Sequence, residues 1–212
     1  MEEATLILVR HGATEHNLVR PYVLQGRRMD PPLDAVGARQ VEALTNALAN
    51  RRIDAVFSSA FLRARQTAEL IAKPHGAATH VIESIGEIDI GVWEGLTWDQ
   101  IHARWPNEVK AFEQDCSTQG YLGGENYTQL RDRVVPALEA LRNDFVGRTV
   151  VVVGHNGVNR AAIAHWLGVP LGYSRRIPQA NGSYSLVSLR SSGGKVRTIN
   201  VVEHLAGIPG VD

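Results

Sequence analysis

Two short stretches carry residues that could do chemistry, and each follows an apolar run. Arg10-His11-Gly12 closes the run at 4–9, and Gly154-His155-Asn156-Gly157 closes the four valines at 150–153. An imidazole can act as a nucleophile, an acid or a base, and a guanidinium is a permanent planar cation. Glycine lets backbone approach a ligand closely. A cation beside an imidazole and a glycine suits an anionic substrate.

The apolar runs read as strands buried on both faces, over 4–10 and 148–154. A second short strand is expected at 54–58, a weak third at 79–82, and a hairpin from 183–189 and 196–202 around Ser-Ser-Gly-Gly. Pro31-Pro32 is a rigid turn. Helices are expected at 35–50 behind an Asp34 cap and at 60–73, ended by Pro74 and Gly76. Thr97-Trp98-Asp99-Gln100 matches a capping box, so a helix runs to about Trp105, with a second short one after it. The span 127–145 is a long helix that Pro136 delays or kinks, and 157–167 is the last. Strands alternating with helices predict an α/β fold in three layers. Its sheet is doubly wound, mostly parallel and mixed, with helices on both faces and a small helical cap over about 97–125. The chain reads as one domain over 1–212. Both histidines then leave strands at the carboxyl edge of the sheet, where open α/β folds bind ligands. The amides of Asn156 and Gly157 open a helix, a favourable place for an anion.

Bulk properties narrow the classes. With 22 basic and 22 acidic residues the formal charge is zero, so a nucleic-acid partner is not expected. One cysteine, Cys116, cannot form an internal disulfide. The opening Met-Glu-Glu has no basic segment of the signal-peptide kind, and no stretch reaches the ~20 apolar residues of a membrane span. A cytoplasmic protein without a membrane partner is expected.

The blocks in order resemble the histidine phosphatase superfamily, the phosphoglycerate-mutase-like enzymes. Arg10 to Asn17 reads Arg-His-Gly-Ala-Thr-Glu-His-Asn; Gln25-Gly26 follows, then Asp30, Pro32, Leu33 and Gly37. Ser58 to Ala68 holds Leu62-Arg63-Ala64-Arg65-Gln66-Thr67-Ala68, Glu87 to Gly95 is the acid segment, and Gly123-Gly124-Glu125-Asn126 opens the long helix. The resemblance covers nearly the whole chain. One departure is Asn156-Gly157, where Gly-Gly or Gly-Asn is usual. Contacts there come from backbone N–H, which an asparagine preserves.

Resemblance and the needs of a phosphomonoester dianion together imply the roles. His11 is the nucleophile that forms a phosphohistidine, and Arg10 and Arg63 grip the phosphoryl oxygens. His155, protonated in the anionic complex, stabilises the transition state. Glu87 protonates the leaving oxygen and then activates water, in competition with Glu83, Asp89 and Glu94 for that assignment. Asn17, Gln25, Gly26, Asn156 and Gly157 contact phosphate or leaving group. No metal and no cofactor is expected. Arg65 reads as solvated, His204 as structural, and Trp93, Trp98 and Trp105 as packing.

The expected function is a phosphomonoesterase acting on a small phosphorylated metabolite. A phosphoglycerate mutase would carry a basic, tyrosine-containing segment after its acid. Residues 106–125 hold one basic residue, Lys110, against Glu108, Glu113, Asp115 and Glu125, which favours a less anionic leaving group. A catalytically silent phosphate-binding or interaction module would be expected to lack one of Arg10, His11, Arg63, Glu87 and His155. The hairpin offers an edge strand that could pair in a homodimer.

Overall fold

The computed structural model describes residues 3–210. Its sheet has six strands: β1 (Ala4–Arg10), β2 (Ala55–Ser58), β3 (Ala78–Val81), β4 (Thr149–Gly154), β5 (Tyr184–Arg190) and β6 (Gly193–Val201). They lie in the order β3-β2-β4-β1-β5-β6. The first four run parallel, and the hairpin adds β5 antiparallel to β1 and β6 antiparallel to β5. This is the doubly wound, mixed sheet that the alternation of elements predicts.

Strand periodicity divides the core in two. Leu6, Leu8, Val150 and Val152 face helices α6 (Tyr127–Phe145) and α7 (Asn156–Leu167). Ile7, Val9, Val151 and Val153 face α2 (Ala35–Leu48) and α3 (Leu62–His75). A four-residue helix α1 (Glu15–Leu18) follows the first histidine. The cap is α4 (Trp98–Arg104) and α5 (Pro106–Gln114). Trp93, Trp98, Phe112 and Tyr121 pack together there, with Phe112 and Tyr121 ring centroids 4.5 Å apart.

Local chemistry accounts for the helix ends. The Asp34 carboxylate accepts from the Gly37 amide at 2.7 Å, and Thr97 and Gln100 form the expected capping box. Pro74 acts differently from expectation, and Pro136 in one of its two expected respects. Pro74 lies inside α3, which continues to His75 and ends at Gly76, a left-handed cap with φ +59°. Pro136 lies inside α6 and does not delay its start. Both prolines are on exposed faces, where the carbonyl that loses its donor stays open to water.

The amino end of α2 rests directly on the loop after β1. A Cβ on Gly12 would sit 2.6 Å from the Gly37 carbonyl oxygen, and one on Gly37 would overlap Ala13. Backbone on both sides leaves nothing flexible to yield. Gly37→Ala should therefore cost about 3 kcal/mol, the upper end of overpacking. Urea unfolding at unchanged m would show it; a cost below 1 kcal/mol would mean the helix slides freely.

Candidate active site

The parallel pairing of β1 with β4 sets Arg10 opposite Gly154, so the two histidines leave the sheet side by side. Their ring centroids are 5.1 Å apart. His11 Nδ1 lies 2.7 Å from the Gly12 carbonyl oxygen. A carbonyl only accepts, so Nδ1 carries the proton and the neutral ring keeps its lone pair on Nε2. His155 Nε2 meets the Ser59 hydroxyl at 2.6 Å, while its buried Nδ1 has no partner among the described residues.

Arg10 Nη1 donates to the Gln179 carbonyl at 2.6 Å, and its buried Nε also lacks a partner among the described residues. Arg63, in the first turn of α3, is 1% exposed. It donates to the carbonyls of Met29 and Gly26 at 3.0 and 3.3 Å, and Asp30 stands 3.6 Å away. Arg65 is exposed, as expected.

Among the acids, burial and partners separate the candidates. Glu83 is exposed. Asp89 accepts from the Gly91 amide at 2.9 Å. Glu94 accepts from the amides of Gly26, Arg28 and Met29 at 2.8–3.0 Å and so holds that loop. Glu87 is 6% exposed and accepts from the Gly157 amide at 3.1 Å, at the start of α7. Its segment is pinned by Arg133, which donates to the carbonyls of Ser84, Gly86 and Glu87 at 2.6–3.0 Å.

A cavity of about 130 Å³ opens on Glu87, Gln25, Asn156 and Gly157, with Trp98, Tyr121 and Tyr127 among its walls. Gln25 satisfies its neighbours when its Oε1 accepts from Arg63 Nη1 and Nε at 2.9 and 3.1 Å and its amide donates to Thr14. The other neutral residues stand in supporting positions. The Asn17 Oδ1 accepts from the Thr14 amide at 3.0 Å and from Asn181 at 3.3 Å. The Gly26 amide is taken by Glu94, and the Gly157 amide by Glu87.

Burial holds both His11 and His155 well below the ordinary imidazole pKa, and the nearby Arg63 and Arg10 reinforce it. Both rings are thus neutral in the free protein at neutral pH. The sign of the stability effect follows. Below about pH 6.5 the unfolded chain takes up protons on these histidines while the folded protein does not, so stability is full above that pH and falls as the pH drops. The slope should reach about 1.4 kcal/mol per pH unit for each histidine. Denaturation midpoints measured between pH 7.5 and 5.5 should fall, and His155→Asn should flatten the slope. An unchanged slope in that variant would sink the assignment.

A conserved-domain profile for histidine phosphatase superfamily, branch 1, matches residues 6–202. The chain belongs to that superfamily. Phosphoserine phosphatase 1 of Hydrogenobacter thermophilus is 31% identical over 94% of this chain and 93% of its own. A metal-independent phosphoserine phosphatase of Arabidopsis thaliana is 33% identical over 98% of this chain and 85% of its own. The solved structure of Bacillus stearothermophilus YhfR superposes with a TM-score of 0.87 at 27% identity, covering 95% of this chain and 99% of that one. With these phosphatases as its full-length relatives within the superfamily, the chain is a phosphomonoester hydrolase. No helix among the described residues is long and apolar enough to cross a membrane.

Several residues around this histidine phosphatase site carry no local signal in the sequence. Ser59 is inside a quoted block, yet its contact with His155 comes from the parallel pairing of β2 with β4, which sets their ends side by side. Gln179, Asn181 and Arg133 arrive from distant loops or a helix. Arg160 and Arg175 line the cavity as well. Arg160 follows Asn156 by four residues on one helix face, a spacing that could have marked it. Arg175 lies in the 3₁₀ stretch Leu171–Arg176, and only the fold brings it there.

Proposed function

We propose that this enzyme hydrolyses small phosphate esters without a metal, through a phosphohistidine on His11. The observation that carries the reading is the bond from His11 Nδ1 to the Gly12 carbonyl. It leaves Nε2 as a lone-pair nucleophile beside Arg10, Arg63 and His155. Nε2 attacks phosphorus, the ester P–O bond breaks, and Glu87 gives its proton to the leaving oxygen. Water then attacks the phosphohistidine and passes a proton to Glu87; the N–P bond breaks and phosphate leaves. Arg10 Nε and His155 Nδ1 are buried and unpartnered among the described residues, which supports a role for them as donors to phosphoryl oxygens. A bound dianion also offsets the arginine field that, with burial, keeps His155 neutral, which favours its protonation in the complex. Asn17, Gln25, Gly26, Asn156 and Gly157 would order these groups or touch the substrate. The chain works as one unit over 1–212, with about 97–125 as its cap.

Phosphate release from a panel of phosphomonoesters, with a chelator present, tests this. The relatives' names put phosphoserine first on the panel. Release in chelator is the expected result. A strict requirement for added metal, or no release from any ester, would sink the reading.

A further inference from the structure

Arg63 starts α3, yet its guanidinium is oriented by a different part of the chain. Gln25 Oε1 accepts from Nε and Nη1 at 3.1 and 2.9 Å. The Met29 carbonyl accepts from Nη1 at 3.0 Å and the Gly26 carbonyl from Nη2 at 3.3 Å. These bonds fix the plane of the guanidinium, which is what gripping two phosphoryl oxygens requires. Residues 24–30 form neither helix nor strand, so another group must hold the shape of that segment.

That group is Glu94. Its Oε1 accepts from the amides of Gly26 and Arg28 at 3.0 Å and of Met29 at 2.8 Å, and Oε2 adds a second contact to Arg28 at 3.0 Å. Amides that converge in this way suit an anion, and a side chain of the same protein fills the place. Glu94 is firmly mounted. Trp93 before it is fully buried against Trp98 and Phe112 of the cap. The Gly95 amide donates to the Leu24 carbonyl and the Leu24 amide to the Leu96 carbonyl, both at 2.9 Å. The close approach needs Gly26, where a Cβ would stand 2.6 Å from Ile90 and 3.0 Å from Glu94 Oε2. The Glu94 charge also acts on Arg63 through space, so position and charge have to be separated by experiment.

We propose that Glu94 is a positioning residue for phosphoryl binding: from the cap side it shapes residues 26–29, which aim the Arg63 guanidinium at the phosphoryl group. This rests on the role of Arg63 in the reading above and adds a link from the cap to the phosphate grip. Glu94 touches no reacting atom, so its removal acts on every ester alike and only through Arg63.

Calorimetry with inorganic phosphate tests this without turnover. Glu94→Ala should raise the Kd about 10–100-fold. In Arg63→Gln protein the same change should cost less than about threefold, because the group it aims is gone. Glu94→Gln keeps an oxygen at the Oε1 place that three amides use, and should stay within about fivefold of wild type. Glu94→Asp keeps the charge but falls one methylene short, and should resemble Glu94→Ala; it carries the comparison if the alanine variant does not fold. In turnover, kcat/KM should fall by the same factor on p-nitrophenyl phosphate and on an alkyl ester. Equal costs of Glu94→Ala with and without the Arg63 guanidinium would overturn the inference, as would Glu94→Asp outperforming Glu94→Gln. A loss confined to the alkyl ester would overturn it too, and make Glu94 the acid. Coupled losses of phosphate binding in a protein that hydrolyses no ester would leave the positioning role standing and remove the hydrolase reading. Additive losses beside normal hydrolysis by the wild type would remove the positioning role alone.

Discussion

Replacing His11 with alanine should stop turnover, lowering kcat on the order of 10⁴-fold or more, because the variant has no atom to form the covalent intermediate. Ester binding should survive far better than kcat. Arg10, Arg63 and His155 take their positions from Gln179, Met29, Gly26 and Ser59, none of which depends on the His11 ring. The split can be read directly. Labelled ester mixed with wild type and quenched in alkali should leave phosphate on the protein, in a form that acid releases. The alanine variant should carry none while still binding ester. Hydrolysis above about a hundredth of the wild-type rate would mean water attacks phosphorus directly, and His11 would be reassigned as a binding group.

The parts of this molecule that were legible in the chain are those where one physical rule acts without competition. Four valines cannot alternate, so β4 had to be buried on both faces, and Gly154-His155 had to leave at its end. Asp34 and Thr97 announced helices because a side-chain oxygen is what an unpaired helix amide needs. Proline is a weaker stop than its missing N–H suggests. Pro74 and Pro136 sit where solvent can serve the orphaned carbonyl, so helix continuation wins. The pairing of His11 with His155 is visible as two glycine-flanked histidines at strand ends, but the commitments of neighbouring groups are not. Gly26 and Gly157 offer amides that look free in the sequence, and Glu94 and Glu87 take them. Counting charges in 106–125 gave the cap its sign and missed that of the cavity, since Glu125 and Asp115 are spent locally while Arg160 and Arg175 enter from α7 and the segment after it. Composition counts charges; only the fold says which ones are unspent.

Glu87→Gln separates the two steps assigned to that residue. The amide keeps the shape and can still accept from the Gly157 and Ile88 amides that hold the carboxylate now, so the site should stay assembled. What it loses is the ability to give and take a proton. An alkyl ester needs a proton on its departing oxygen, so formation of the phosphohistidine should slow by about 10²–10⁴-fold. Nitrophenolate leaves without one, so its first step should fall by less than about tenfold. The second step has no such escape, because water still needs a base whichever group has left. With p-nitrophenyl phosphate the variant should therefore release a burst of nitrophenolate equal to the enzyme present, then turn over slowly while phosphorylated on His11. With an alkyl ester it should show no burst. Equal slowing on both esters without a burst would place the acid elsewhere. Asp89, bound to the Gly91 amide, and Glu94, bound to three backbone amides, would each have to leave those partners to replace it.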